Sequence, residues 1–541
     1  MNTEVSIIIS PEHENNQNLI KRNICRELEK KNIFTNAEKI KISFVKKSID
    51  ARHGKVKYIL RYKVFDNEKE YEEEKKFTPR WKNADEHKTV LIAGSGPAGL
   101  FAALALLEDG IKPIIIERGK NTSDRKKDIA CISTKNIVGS DSNYCFGEGG
   151  AGTFSDGKLF SRSNKRGNIS NILETFVFFG ADKKILTDAH PHIGTDKLPS
   201  IINAMRKKII ELGGEFYFDT KVTSFITENN CVKGIETTDT ISGQKKSFFG
   251  QAIILATGHS ANDIYYLMAK TAPSSLEAKT FAVGVRIEHP RTLINAIQYH
   301  GREKFSELPA AEYRLTSQIC DKNGNNARGV YSFCMCPGGF VVPSASDKNQ
   351  IVVNGMSAAK RNSQWSNAAI VVETRPEDIP QEFIKKAQGI NCPEIAGLLW
   401  RTALEEETYK HGKGQAAPAQ RVTDFIAGRE SKSLPVSSYT PGLVASRLDL
   451  WLPEQICVRL KKAFIEFNKN MKGFVCDEGL LIASETRTST PVRILRDKET
   501  FENPALKNLY PAGEGSGYSG GITSSALDGQ NVARKIIERL K

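Results

Sequence analysis

The sequence predicts an α/β fold built on a parallel, dinucleotide-binding sheet and preceded by a small α+β module. Three observations carry this. First, the apolar run Val90-Leu91-Ile92-Ala93 leads into Gly94-Ser95-Gly96-Pro97-Ala98-Gly99, then an alanine- and leucine-rich helix over 100–107, a second apolar run over 112–116 and the acid Glu117. That order is a βαβ unit with the G-x-G-x-x-G turn of a Rossmann-like site. Second, residues 251–255 form another apolar strand, which runs into Ala256-Thr257-Gly258. Third, residues 1–87 alternate apolar and charged positions around a single amphipathic helix, the pattern of a half-exposed sheet.

Taken in order, 5–10 is a strand, 19–31 a helix with Leu19, Ile20, Ile24 and Leu28 on one face, and 39–47 with 55–65 a hairpin turned at Arg52-His53-Gly54. This is a βαββ arrangement. The charge run 68–76 and Pro79-Arg80-Trp81 read as a linker. In the dinucleotide turn Gly94 permits the tight bend, Gly96 lets backbone approach a pyrophosphate, and Gly99 lets the helix lie close to the sheet, with Pro97 and Ala98 opening the helix. The pyrophosphate then meets free N–H groups at the helix start. Glu117 lies where a ribose hydroxyl acceptor is expected, and its charge would repel a 2′-phosphate, so FAD or NAD suits the site better than NADP. Residues 125–136 are polar and read as a mobile connection. The segment 146–159 packs glycines around Gly152 and Ser155, offering N–H donors to a ring or phosphate. A helix over 197–212 ends at Gly213-Gly214, followed by a strand over 215–222 and a meander over 232–236 and 246–249.

Composition bounds the class. A chain of 541 residues allows about three or four domains. Its 39% hydrophobic and 26% charged residues are those of a globular protein. The net charge of +14 is spread rather than gathered in an arm, so nucleic acid is not the expected partner. Ten cysteines without framework spacing read as reduced thiols, and no cysteine or histidine cluster suggests a metal. Cys334 and Cys336 are two apart; on a strand their α-carbons would stand ~6.6 Å apart, at the long end for a disulfide. They read as two small packed side chains, with a redox dithiol as the alternative. The uncharged run 89–107 is broken by Gly94, Gly96, Pro97 and Gly99, so it is a nucleotide fold rather than a membrane span. Residues 1–10 lack a basic leader with an apolar core, and a cytoplasmic protein is expected.

From Gly94 onward the chain resembles the glutathione-reductase-like FAD superfamily. More narrowly it is similar to the bacterial family of uncharacterised FAD-dependent oxidoreductases, also called NAD(FAD)-utilising dehydrogenases. The motifs lie at 147–159, 191–196, 258–263, 281–290, 333–339, 414–421, 434–439, 485–489 and 510–522, and 47–52 resembles the extra N-terminal domain of such proteins. The resemblance implies four parts: an N-terminal module over 1–87, an FAD-binding domain over 88–280 completed by 476–541, and an inserted α+β substrate domain over 281–475. It implies that Glu117 and Arg118 face the adenosine ribose, that Val222 backbone meets adenine, and that Thr257 and Gly258 line the same cofactor. It further implies that Gly513 and Glu514 reach the ribityl or pyrophosphate, and that Gly521, Ile522 and Thr523 start a helix beneath the flavin. Arg487 and His259 are the candidate catalytic residues, the arginine as an anion grip and the histidine as a proton donor, set against the leading reading of a structural ion pair for the arginine and a hydrogen-bonded structural histidine. Arg286, His289, Arg421, Glu485 and Arg493 are the other charged groups of these motifs. The function expected is hydride transfer through flavin N5 to or from a small, anionic molecule, with NAD(P)H, if used, visiting transiently because no second dinucleotide turn exists. An RNA-modifying flavoenzyme and a non-catalytic redox sensor are the alternatives.

Overall fold

The computed structural model describes residues 2–33, 35, 40–65, 77–160, 167–301 and 308–541. The charge run read as a linker lies outside the described residues.

At the centre is a five-stranded, wholly parallel sheet in the order Leu509–Pro511, Ala252–Leu255, Asp85–Ala93, Ile111–Ile116, Glu215–Tyr217. Its strands are continuous apolar runs because both faces are covered, as parallel sheets require. Helix Pro97–Glu108 crosses between the first two sequential strands and is buried at ten positions. Helix Ile522–Leu540 packs directly on it: a Cβ on Gly529 would sit 2.0 Å from the Ala98 carbonyl oxygen, so the two backbones touch where no other residue fits. The last strand and last helix thus complete a sheet begun more than 400 residues earlier.

A second sheet has seven strands in the order Thr316–Ile319, Arg328–Cys336, Trp365–Thr374, Phe281–Pro290, Leu480–Glu485, Ala417–Arg421, Leu443–Ala445. Strand Leu480–Glu485 pairs with Phe281–Pro290, so this sheet runs past the expected boundary at residue 475. The strand lies between Phe281–Pro290 and Ala417–Arg421, with all six of its residues buried, and takes no place in the parallel sheet. One apolar core joins the two sheets, containing Leu91, Ala93 and Leu255 with Val283, Val285, Ile370 and Leu481.

The N-terminal sheet has the order Asn2–Ile9, Lys57–Phe65, Lys41–Asp50, all antiparallel, with helix Gln17–Glu29 over one face. Most of its core, Val5, Ile7, Ile20, Ile24, Leu28, Leu60 and Val64 among others, is its own, with Leu308 packed against it. It meets the rest of the chain through the Lys47 backbone, which donates to Thr187 and accepts from Ala189, through the Ala51 carbonyl at the His300 ring, and through Val56, which packs into the main core.

Two expectations need correction. Residues 125–136 are not a mobile connection but most of helix Thr122–Lys135, capped by the Asn121 side chain and stopped at Asn136 in the left-handed region. The strand read over 215–222 is two strands, broken where Asp219 adopts φ +50° and turns the chain from the parallel sheet into the meander.

Candidate flavin site

Both sheets contribute to one cavity of about 380 Å³, within the ~300–1,000 Å³ of ordinary ligand sites. Its wall brings together Gly94, Gly96, Pro97, Ala98, Glu117, Arg118, Gly152, Ser155, Val222, Thr257, Gly258, His259, Gly513, Glu514, Gly521, Ile522 and Arg487. These lie up to 428 positions apart in sequence, from Gly94 to Ile522. Of the expected cofactor residues, Gly99 and Thr523 stand behind the wall. A Cβ on Gly99 would strike the Gly94 carbonyl oxygen at 2.0 Å, and Thr523 donates its hydroxyl to the Leu159 carbonyl.

Two helix starts open here. Pro97–Glu108 begins at Gly96 and Ile522–Leu540 at Gly521, and neither is capped by a side chain. Their free N–H groups and positive dipole ends therefore point at whatever fills the cavity, which favours an anion such as a pyrophosphate or a reduced flavin. Around Gly258, Gly520 and Gly521 a Cβ would meet nothing within 4 Å, so the wall is hollow where a cofactor must lie against backbone.

Glu117 organises the turn. One carboxylate oxygen accepts from the Ser95 N–H and hydroxyl, the other from the N–H groups of Gly119 and Gly147. Next to it Arg118 lies over the Phe146 ring at 4.0 Å and pairs with Asp141 and Asp263.

Arg125, which sequence reasoning missed, holds the glycine segment in shape. Fully buried, its guanidinium donates to the carbonyls of Asn143, Tyr144, Gly147, Glu148 and Gly150. Burial lowers its pKa to about 10, with Glu117 opposing, and it stays charged at neutral pH.

The two candidate catalytic residues differ from their catalytic reading. Arg487 has every donor engaged: Nε and Nη2 grip Glu405 at 2.9 and 2.6 Å, Nη2 also meets Gln350, and Nη1 meets Ser346 and the Cys145 sulfur. It has no donor left to grip a substrate anion and acts instead as a fixed positive charge in the wall. His259 is largely buried, its side chain 11% exposed, and desolvation, then Arg401 and Arg487, lower its pKa to about 3. It is neutral at physiological pH and carries no imidazolium proton to donate.

The remaining motif charges are structural. Arg286 pairs with Glu485 at 2.9 Å and donates to Asn367 and Asn354. Arg421 donates to Ser433 and Asp477, Arg493 to Glu277, and His289 meets the Phe474 carbonyl. Glu514 stands 3.8 Å from His259 Nδ1, and burial, then Cys334, raise its pKa to about 7.

Beside the cavity Lys158 stands 3.5 Å from Asp156, which is paired in turn with Arg361 at 2.6 Å. Lys158 Nζ also lies 3.8 Å from the Cys334 sulfur and 3.6 Å from that of Cys336.

Comparison with known proteins agrees with this assembly. Residues 280–488 match the family described as FAD-dependent protein, C-terminal domain-like, residues 87–134 match an FAD binding domain, and residues 1–65 match a domain of unknown function. An uncharacterised protein of Clostridium beijerinckii is 36% identical over 539 residues, covering 96% of each chain. Among solved structures, a flavoprotein/dehydrogenase from Cytophaga hutchinsonii is 10% identical with a TM-score of 0.36, over 84% of this chain and 78% of that one. Glycine oxidase from Bacillus cereus is 14% identical with a TM-score of 0.31, over 84% and 96%. No helix among the described residues is long and apolar enough to cross a membrane.

Proposed function

We propose, from the premise that this chain belongs to the family of FAD-dependent proteins, that it is an oxidoreductase moving hydride through flavin N5 to or from a small molecule. One observation carries the reading: two uncapped helix starts, the dinucleotide turn and a hollow of glycines converge on a cavity whose far wall comes from a second sheet. FAD, when bound, supplies the two-electron chemistry. The protein supplies position and charge. The N–H groups after Gly96 receive the pyrophosphate. Glu117 is already given four protein donors, but one is the Ser95 hydroxyl, which can rotate away and leave a lone pair for a ribose hydroxyl. The helix start at Gly521 and the fixed charge of Arg487 stabilise negative charge on the reduced cofactor. These roles follow the glutathione-reductase-like arrangement. The second-sheet residues Phe333, Cys334 and Glu485, with Asn354 of strand Val353–Met356, face the space left for substrate. An anion grip by Arg487 is not part of this reading, since its donors are spent within the protein.

The test is an absorbance spectrum of the purified protein under anaerobic conditions, with NADH and then NADPH added. A yellow protein bleached by one of them supports an oxidoreductase and names its donor. A yellow protein that neither bleaches places the electron source in the substrate. A colourless protein that takes up no FAD overturns the reading.

A further inference from the structure

Strand Arg328–Cys336 is interrupted at its end. Its register against Trp365–Thr374 shifts between Phe333 and Cys336, and Cys334 sits at φ +43°, a left-handed conformation that is unusual for any residue but glycine or asparagine. Such strain persists only where the surroundings enforce it, and it clusters at functional sites. Here Arg286 Nη1 reaches the Cys334 carbonyl, and the Cys336 sulfur lies 3.4 Å from the same oxygen. The kink removes the extended spacing that would hold the two cysteines apart. Cys334 turns into the cavity wall while Cys336 is fully buried behind it.

Structural cysteines lie among apolar neighbours. These two share the Lys158 ammonium, which is close enough to donate to both sulfurs. The Cys336 thiol also donates to the Cys334 carbonyl. Proximity of the Cys336 thiol, and then Lys158 and Arg286 against the cost of burial, lower the Cys334 pKa well below the ordinary thiol value. The pKa of Cys336 is raised, so Cys334 is the thiol of the pair that ionises first. A thiolate beside a thiol, with a cation to hold the charge, is the resting form of a redox dithiol.

We propose that Cys334 and Cys336 are a dithiol–disulfide couple that exchanges two electrons with FAD held in this cavity, which makes thiols or disulfides the class of compound this site works on. The inference rests on the flavoprotein reading above. Joining the Cys334 thiolate sulfur to the Cys336 sulfur releases two electrons and the one thiol proton. Both electrons and the proton pass to oxidised FAD, giving FADH⁻, and the reverse step reopens the disulfide. No further reactant enters.

The holoprotein, treated with diamide, desalted and made anaerobic, is titrated with dithionite while its free thiols are alkylated and mapped by mass spectrometry. The expected uptake is four electrons per FAD, two for the flavin and two for the disulfide, with Cys334 and Cys336 alkylated only after reduction. Cys334→Ser and Cys336→Ser should each take up two. In a second arm, anaerobic dithiothreitol should bleach the flavin of the native protein and leave both variants yellow. Two-electron uptake by the native protein with both thiols free throughout overturns the proposal. So does equal bleaching of native and variants, since electrons would then bypass the pair. A protein without bound FAD is recognised by its lack of colour before any titration; that result fells the flavoprotein reading, and this proposal with it.

Discussion

Arg125 and His259 show how single side chains set this site. Arg125 satisfies five carbonyls of a segment whose only regular structure is the short 3-10 turn Gly150–Gly152. Arg125→Lys keeps the charge but loses the planar fork, leaving carbonyls unpaired at about 1–3 kcal/mol each. A drop in Tm together with loss of FAD on gel filtration is expected; a variant that retains FAD with unchanged Tm would show that the glycine segment holds itself. For His259 the sign runs with acid. Its folded pKa, about 3, lies below the unfolded value near 6.5, so its stabilising contribution is complete above pH ~6.5 and is lost as pH falls toward 3. The slope from this one group is at most about 1.4 kcal/mol per pH unit. Urea unfolding between pH 7 and 4 should therefore be less pH-dependent in His259→Asn than in the native protein. Neither role was legible in the sequence. A buried arginine and a neutral histidine depend on partners from distant segments, and their own neighbours in the chain do not reveal them.

At the scale of elements, the dinucleotide turn and the strands that flank it were legible, whereas other local readings were not. The turn at Gly94 to Gly99 is a conformational demand carried by a few consecutive residues between two apolar strands, and such demands do not depend on the rest of the fold. Helix Thr122–Lys135 failed for a specific reason: its buried positions are Thr122, Arg125, Ile129 and Ile132, correctly spaced for one face, but two of the four are polar and hide the stripe. Strand Leu480–Glu485 could not be placed because six consecutive buried residues suit either sheet. The two glycine positions on helix Ile522–Leu540 separate packing from binding. Gly529→Val drives a side chain into the Ala98 carbonyl and should cost at least about 1–3 kcal/mol, seen as a lower Tm with or without FAD. Gly521 has φ 165°, which any residue adopts, and faces open space at the cavity. Gly521→Ala should melt like the native apoprotein yet bind FAD more weakly, because its methyl takes room at the helix start. Equal losses in both variants would mean that Gly521 serves the fold and not the cofactor.

In the whole molecule the cofactor cavity and the joint between the sheets are the same place. The core that contains Leu91 and Leu255 of the parallel sheet also contains Val285 and Leu481 of the seven-stranded sheet, and the cavity is walled by both. A ligand there stabilises by RT ln(1 + [L]/Kd), about 2.7 kcal/mol at a hundredfold excess over Kd, and this applies to every element that must open to release it. The N-terminal module is built differently. Most of its core is separate, and among the described residues its strands pair only with one another apart from the backbone bridge at Lys47; Val56 and the Ala51 carbonyl at His300 are its further contacts with the main body. It can therefore open on its own without exposing the cavity, as cooperative units within a native protein do. Hydrogen exchange with and without FAD should separate the two behaviours. Amides of Asp85–Ala93, Ala252–Leu255 and Leu480–Glu485 should slow when FAD is added, while those of Asn2–Ile9 and Lys57–Phe65 keep their rates. Slowing of all five strands by the same factor would show that the module opens only when the whole chain unfolds, making the contacts at Lys47, Ala51 and Val56 a strong coupling.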